Sequence, residues 1–406
     1  MKTILATTYA VNPYKGSEDG MGWNFVCQIA RYNRVIAVTR RNNRPHIEKY
    51  MKANPSKLYK NIEFLYFDLP DWVMKLKQGP RFAMPYYYAW QYFVPNFLEK
   101  QNIEFDIAHN VNFHNDWTPS RLWKLGKPFV WGPTGHHPLI PEQFLRPIYG
   151  ESAFKQDRKT WKLKNFFWNK DPNLSKTVQK ADHIIAMNKS VQGVLNTNKK
   201  VQIMPSVASE DFGEFSNKDF DELNVISAGR LVPLKGFDVT IEAFSNFFHR
   251  LSEDQRSKVN LKIVGSGPEE QMLKSLCKSR GVEHHVEFIS WIERSELQKI
   301  YAKSNLFLFP SHEGAGMVVS EALSYSLPVV CFDNCGPGEF VTEECGIAIP
   351  YGEYNSTIEA FGESIFDLYQ DKEKFKAMSN AARQRFKDWL HWDVRGEQLN
   401  DIYNNL

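Results

Sequence analysis

Glu313 and Glu321 stand with seven residues between them in the stretch Pro310-Ser-His-Glu-Gly-Ala-Gly-Met-Val-Val-Ser-Glu321. Carboxylates accept hydrogen bonds from sugar hydroxyls. Between them Gly314, Ala315 and Gly316 form a short loop, and Met317 and Val318 open a helical pattern that runs to Tyr325. A helix entry presents free N–H groups and the positive end of the helix dipole, which together suit phosphate. One segment could therefore hold both halves of a nucleotide-sugar. The plainer alternative is a Glu313 that caps the helix and a Glu321 in a solvated turn. A second segment, Gly229-Arg230-Leu-Val-Pro-Leu-Lys235-Gly236, places a planar guanidinium and an ammonium point charge in a loop whose glycines permit close backbone approach. Both cations suit phosphate oxygens. Gly265-Ser-Gly267-Pro268 and Phe288-Ile289-Ser290 are two further turns of the same kind, each weak by itself.

The first half of the chain has its own candidates. Asn12-Pro-Tyr-Lys-Gly16-Ser17-Glu18-Asp-Gly20-Met-Gly22 follows the first strand, with Gly20 and Gly22 at a helix start. This is not the Gly-x-Gly-x-x-Gly dinucleotide pattern, which argues against a dehydrogenase. His109 ends a strand, His114 lies in the loop after it, and Trp131-Gly-Pro-Thr-Gly-His136-His137 follows the next strand. Open α/β sheets bind ligands at the carboxyl ends of their strands, so these positions can face a ligand; a lone histidine is more often structural.

The elements that must position these groups alternate between strand and helix, which predicts two doubly wound parallel α/β halves. Apolar runs predict strands at 3–7, 34–38, 62–66, 107–109, 129–131 and 183–186, then at 224–228, 260–264, 286–288, 306–309, 328–332 and 346–349. Helices are expected at 237–250, 269–280 and 295–303. The polar stretch from Ser206 to Asp221 reads as the linker, giving domains 1–205 and 206–387. A long C-terminal helical stretch from Lys372 to Tyr403 is expected to break near Trp389–Trp392.

In this order, Gly-Arg-x4-Lys-Gly, Gly-x-Gly-Pro and Glu-x7-Glu resemble the family-four retaining nucleotide-sugar glycosyltransferases, most strongly over residues 223–350. The resemblance implies the GT-B fold, with residues 388–406 crossing back to the first domain. It implies that Arg230 and Lys235 bind the donor diphosphate and that Glu321 holds the ribose hydroxyls. Glu313, with the N–H groups of Gly316 and Met317, would hold the transferred sugar. The turns Gly265–Pro268 and Phe288–Ser290 would line the base, and the loop of Gly20 and Gly22 would face the donor phosphates. A sugar-contacting histidine is expected in the first domain, and His109 and His114 both stand for it. A front-face substitution is implied, with the two cations carrying the charge that a metal would otherwise supply, so no cofactor and no metal are expected. The acceptor would be a glycan, a lipid-linked or a small molecule, in surface polysaccharide or glycoconjugate synthesis. The alternatives are a nucleotide-sugar epimerase or hydrolase of the same fold, which needs an added general acid/base, and a non-catalytic scaffold, against which the retained charged set argues.

Composition bounds the remainder. The 42% hydrophobic and 24% charged content is that of a globular chain. A net charge of +3 is too small to argue for nucleic acid, the basic residues are dispersed, and no RNA-binding or helix-turn-helix signature stands in the sequence, so no nucleic-acid partner is expected. Five cysteines without metal-ligand spacing read as reduced thiols in the cytoplasm. The N-terminus turns polar too soon for a signal peptide, and no apolar run reaches a spanning length. Two aromatic clusters stand out. One runs from Trp72 through Lys77 and Arg81 to Trp90 and reads first as core packing. The other, Lys155 to Lys170, sets six cations against the single acid Asp157 and carries Trp161, Phe166, Phe167 and Trp168. The second reads as an interfacial membrane segment or an anionic acceptor site, or else as core packing with a solvated basic face.

Overall fold

In the computed structural model, which describes residues 1–76, 82–212, 218 and 220–406, the apolar runs pair as two all-parallel sheets. The first contains β1 (Thr3–Thr8), β2 (Arg34–Thr39), β3 (Ile62–Tyr66), β4 (Ile107–Asn112), β5 (Phe129–Thr134), β6 (His183–Ala186) and β7 (Val201–Ile203) in the order β3-β2-β1-β4-β5-β6-β7. The second contains β8 (Leu223–Ala228), β9 (Val259–Val264), β10 (Val286–Ile289), β11 (Leu306–Phe309), β12 (Val329–Phe332) and β13 (Gly346–Ile349) in the order β10-β9-β8-β11-β12-β13. Both are doubly wound. The strand order reverses between β1 and β4 in one sheet and between β8 and β11 in the other, and ligands bind such sheets at the carboxyl ends beside that reversal. β7 was not expected: three half-buried residues make no apolar run.

The chain divides into two compact units, Met1–His136 with Trp161–Val207 and Trp392–Leu406, and His137–Thr160 with Ala208–His391. This corrects the simple division into 1–205 and 206–387, because residues 137–160 belong to the second unit. Ile140, Phe144 and Leu145 are buried in its core. The Phe144 ring meets His312, Phe332, Tyr351 and Tyr354 at centroid distances of 5.3–5.7 Å, and full burial of one such ring is worth about 1.5–3 kcal/mol. Tyr149 adds a 2.6 Å hydrogen bond to the buried Asp238 carboxylate. The expected linker from Ser206 to Asp221 falls partly outside the described residues, at 213–217 and 219, and so do Lys77 and Arg81 of the first aromatic cluster.

The C-terminal helical stretch breaks as expected, into Lys372–Arg385, a wide turn at Phe386–Leu390, and Trp392–Asn404. The last helix lies in the first unit against the helix Ser17–Ala30, where Gly396 sits against the Gln28 side chain. All five cysteines are free thiols. Among the described residues no helix is long and apolar enough to cross a membrane.

Candidate functional site

In the second unit, the loops leaving β8, β9, β11 and β12 meet backbone to backbone. Ala228 pairs with Val264 at the carboxyl ends of β8 and β9, so Gly229 and Gly265 leave the sheet side by side. Gly265 has φ +148°, and a Cβ there would lie 1.8 Å from the Gly229 carbonyl oxygen. Gly236 has φ +65°, and its Cβ would lie 2.0 Å from the Pro310 oxygen at the exit of β11. These glycines are required because chain packs on chain, independently of any ligand. Pro268 is exposed, while Phe288 and Ile289 are half-buried at the end of β10, where the Ile289 carbonyl accepts the Gly265 N–H at 2.8 Å.

Three charged groups stand on these loops and a fourth on the helix after β11. Arg230 is exposed and forms no ion pair among the described residues. Lys235 is engaged: its Nζ donates to Glu313 Oε2 at 2.6 Å, with side-chain exposures of only 18% and 11%. The expected diphosphate cation and the expected sugar carboxylate are thus partners in the ligand-free protein. Glu321 lies on the helix Met317–Ser324 and accepts from Arg294 Nη2 at 3.3 Å. Burial pushes the Glu321 carboxyl up, and the Arg294 guanidinium opposes that shift.

The loop from Glu313 to Gly316 is held from three sides. Gly314 N–H donates to His137 Nδ1 at 3.1 Å, so that amide is spent within the protein. Asn334 donates to the Ser311 carbonyl at 2.7 Å and accepts from Gly336 N–H at 3.0 Å. A Cβ on Gly336 would lie 2.1 Å from the Glu313 carbonyl oxygen. Ala315, Met317 and Val318 keep partial exposure beside this loop, whereas Gly316 is buried. Just before it, His312 is fully buried, bonds to the Tyr351 hydroxyl at 2.9 Å and stacks on Phe332; burial lowers its pKa to about 3.

In the first unit, His109, Gly20 and Gly22 each have a structural role. His109 is fully buried, with Nδ1 on the Tyr403 hydroxyl and Nε2 on the Gly132 carbonyl, both at 2.6 Å. A neutral ring donating from Nε2 and accepting at Nδ1 satisfies both bonds, and burial holds its pKa down at about 4. Both nitrogens are used, so His109 ties the last helix to β4. Gly20 and Gly22 lie within the helix Ser17–Ala30, not in its entry loop. Gly20 N–H already bonds the Gly16 carbonyl at 3.3 Å. A Cβ on Gly22 would lie 2.0 Å from the Ala10 carbonyl oxygen. Their smallness is explained by packing.

His114 fares differently. Its ring is buried and its Nδ1 lies 2.8 Å from Glu18 Oε2, although the pair is poorly aligned for a hydrogen bond. Its Nε2 is buried with no hydrogen-bond partner among the described residues. Glu18 also accepts the His114 backbone N–H at 3.3 Å. A second pair, His136 Nδ1 and Asp116 Oδ2 at 2.8 Å, is buried after β5. Both pairs stand at the carboxyl ends of strands flanking the reversal, where proton-accepting groups would face a ligand. Glu18 as the partner of His114, Asp116 as that of His136, Arg294 as that of Glu321, and His137 and Asn334 as loop supports were all missed. The Asn334-Cys-Gly-Pro-Gly338 turn after β12 was a signal that could have flagged the last.

The family described as Glycosyl transferases group 1 matches residues 209–385. Residues 209–385 are a glycosyl transferases group 1 domain. Over 187 residues the chain is 29% identical to a GDP-mannose-dependent alpha-(1-6)-phosphatidylinositol monomannoside mannosyltransferase of Mycolicibacterium smegmatis, covering 44% of this chain and 47% of that one. The chain spans about half the length of the curated relatives it matches. Two solved structures extend over nearly everything. Sucrose-phosphate synthase from Thermosynechococcus elongatus aligns with a TM-score of 0.67 at 17% identity, covering 100% of this chain and 99% of that one. WaaG, a glycosyltransferase involved in lipopolysaccharide biosynthesis, aligns with a TM-score of 0.61 at 17% identity, covering 98% and 99%. At that identity the likeness establishes the architecture. The two doubly wound units are those of the GT-B fold.

Proposed function

We propose that the protein transfers a sugar from a nucleoside diphosphate sugar to an acceptor hydroxyl, with retention at the anomeric carbon and without a metal. The observation that carries this reading is the Lys235–Glu313 ion pair between the loops leaving β8 and β11, with Arg230 on the first of these loops and Glu321 on the helix after the second, all within the matched residues 209–385. Charge builds on the leaving diphosphate in the transition state, and fixed cations aimed at it lower the barrier. Arg230 is poised for this without rearrangement. Lys235 reaches a phosphate only by exchanging Glu313 for it, which frees the Glu313 carboxylate for the hydroxyls of the transferred sugar. Glu321, held by Arg294, accepts from the ribose hydroxyls. The leaving phosphate oxygen takes the acceptor proton.

The mannosyltransferase relative, whose name specifies GDP-mannose and a phosphatidylinositol mannoside, supports a nucleotide-sugar donor and a glycolipid or glycan acceptor. The free thiols support a cytoplasmic setting. Thermal-shift screening against nucleoside diphosphates and their sugar conjugates tests the donor half, because a ligand of the folded state raises the melting temperature. Stabilisation by at least one diphosphate, lost in Arg230→Ala, is expected; no response to any nucleotide would overturn the reading. Release of free sugar or an epimerised nucleotide-sugar in the absence of acceptor would favour a hydrolase or epimerase.

A further inference from the structure

The basic aromatic stretch is divided by the fold. Lys155–Thr160 belong to the second unit, where Lys155 lies 3.5 Å from Glu151 and Arg158 donates to the Ile140 carbonyl at 2.9 Å. Within Trp161–Lys170 most rings turn inward. Trp161 and Trp168 pack on His136 at 5.4 and 5.3 Å, and Phe167 packs on Tyr88 and Trp117 at 5.9 and 5.2 Å. Leu163 and Phe166 do not; they are 54% and 58% exposed. Lys162, Phe166 and Lys170 are spaced by four and share one helix face, with Leu163 beside it. The ten residues contain three lysines and no acid, and neither Lys162 nor Lys170 forms an ion pair among the described residues. The apolar surface continues on the helix Ala83–Glu99. Phe166 touches Phe167, Phe167 touches Tyr88, and one turn beyond Tyr88 stand Tyr92 and Phe93, 39% and 46% exposed, with the Arg121 guanidinium 3.7 Å above the Tyr92 ring.

We propose that this face of the first unit docks on the surface of an anionic phospholipid bilayer, with Leu163, Phe166, Tyr92 and Phe93 entering the interface and Lys162, Lys170 and Arg121 lying against the headgroups. Charge decides the occupant. A cation ring around exposed aromatics, with no acid among Trp161–Lys170, is complementary to a negatively charged sheet, and aromatic side chains are at home at the headgroup level. Docking there would bring the strand ends of the first unit to a lipid-linked acceptor.

Co-sedimentation of the full chain with vesicles tests this, comparing pure phosphatidylcholine with a mixture of roughly one-third phosphatidylglycerol. The wild type should pellet with the anionic mixture at low salt, stay in solution with phosphatidylcholine, and be released as salt screens the charges. Lys162→Gln with Lys170→Gln should weaken partitioning about 25-fold, since each lysine near such a surface contributes about fivefold. Leu163→Ser with Phe166→Ser should weaken it about tenfold while keeping the salt dependence. Both double variants should melt with the wild type, because the altered side chains are exposed. A Phe166→Trp variant, whose emission should shift to the blue on anionic vesicles alone, reads insertion directly. Wild type left in solution with anionic vesicles, equal pelleting of all variants, or equal binding to phosphatidylcholine would each overturn the proposal, the first being the outcome if another protein covers this face.

Discussion

Lys235 and Glu313 can be pulled apart by mutation in a way that separates their roles. In the ligand-free protein they form a 2.6 Å ion pair with side-chain exposures of 18% and 11%. An exposed pair is worth up to about 1 kcal/mol, and breaking a fully buried one costs about 3–5 kcal/mol. Lys235→Ala, which leaves Glu313 without its cation, should therefore cost about 1–3 kcal/mol of stability. Removing both partners should recover part of that loss, giving a coupling of about 1–2 kcal/mol in a double-mutant cycle followed by denaturant unfolding. Arg230→Ala, at an exposed position without an ion-pair partner among the described residues, should stay within about 0.5 kcal/mol of wild type. Binding of a nucleoside diphosphate should rank differently. Arg230→Ala and Lys235→Ala should each lose about 1.5–3 kcal/mol, roughly 10- to 150-fold, by calorimetric titration. Glu313→Ala should bind the diphosphate as well as wild type or better, because Lys235 no longer has an internal competitor, while turnover with the sugar donor falls. A coupling near zero, or a Glu313→Ala protein that loses diphosphate affinity as far as Lys235→Ala does, would refute the exchange of partners.

Three further expectations follow from single contacts. Arg294→Ala removes the guanidinium that opposes the upward shift of Glu321, so the acid limb of donor binding should move to higher pH, and an unchanged limb would exclude Glu321 as the ribose acceptor. Gly265→Ala places a Cβ 1.8 Å from the Gly229 oxygen and should cost more than about 2 kcal/mol together with donor affinity; a variant that melts with wild type would contradict the close approach. The folded protein keeps His109 neutral down to about pH 4, whereas the unfolded chain takes up a proton below about 6.5. Stability of about 3 kcal/mol, complete above 6.5, is thus lost as pH falls from 6.5 to 4. In thermal unfolding across that window His109→Asn should lose less than wild type, and parallel loss would sink the assignment.

The strands were legible because buried parallel strands are short apolar runs stopped by glycine or proline, as at Leu306–Phe309. The charged set was legible because each member follows such a strand at the carboxyl end of a sheet. What it does there was not. Lys235 and Glu313 meet across 78 residues, and Glu321 finds Arg294 across 27. His109 and His114 could not be told apart in the sequence, because the Tyr403 hydroxyl that engages the His109 ring lies 294 residues later. Gly20 and Gly22 looked like a phosphate loop because close backbone packing and anion binding call for the same residue. The attachment of residues 137–160 to the second unit depends on Phe144 filling a space lined by residues that lie more than 160 positions further along the chain.

The central claim is sugar transfer at the loops leaving β8 and β11. It is tested most directly by incubating the chain with the nucleotide-sugar it binds and an acceptor, then following both anomeric signals by proton NMR. Diphosphate release dependent on acceptor, a product with the donor's anomeric configuration, and loss of both in Arg230→Ala are expected. Release independent of acceptor, an inverted product, or full activity in Arg230→Ala would contradict it.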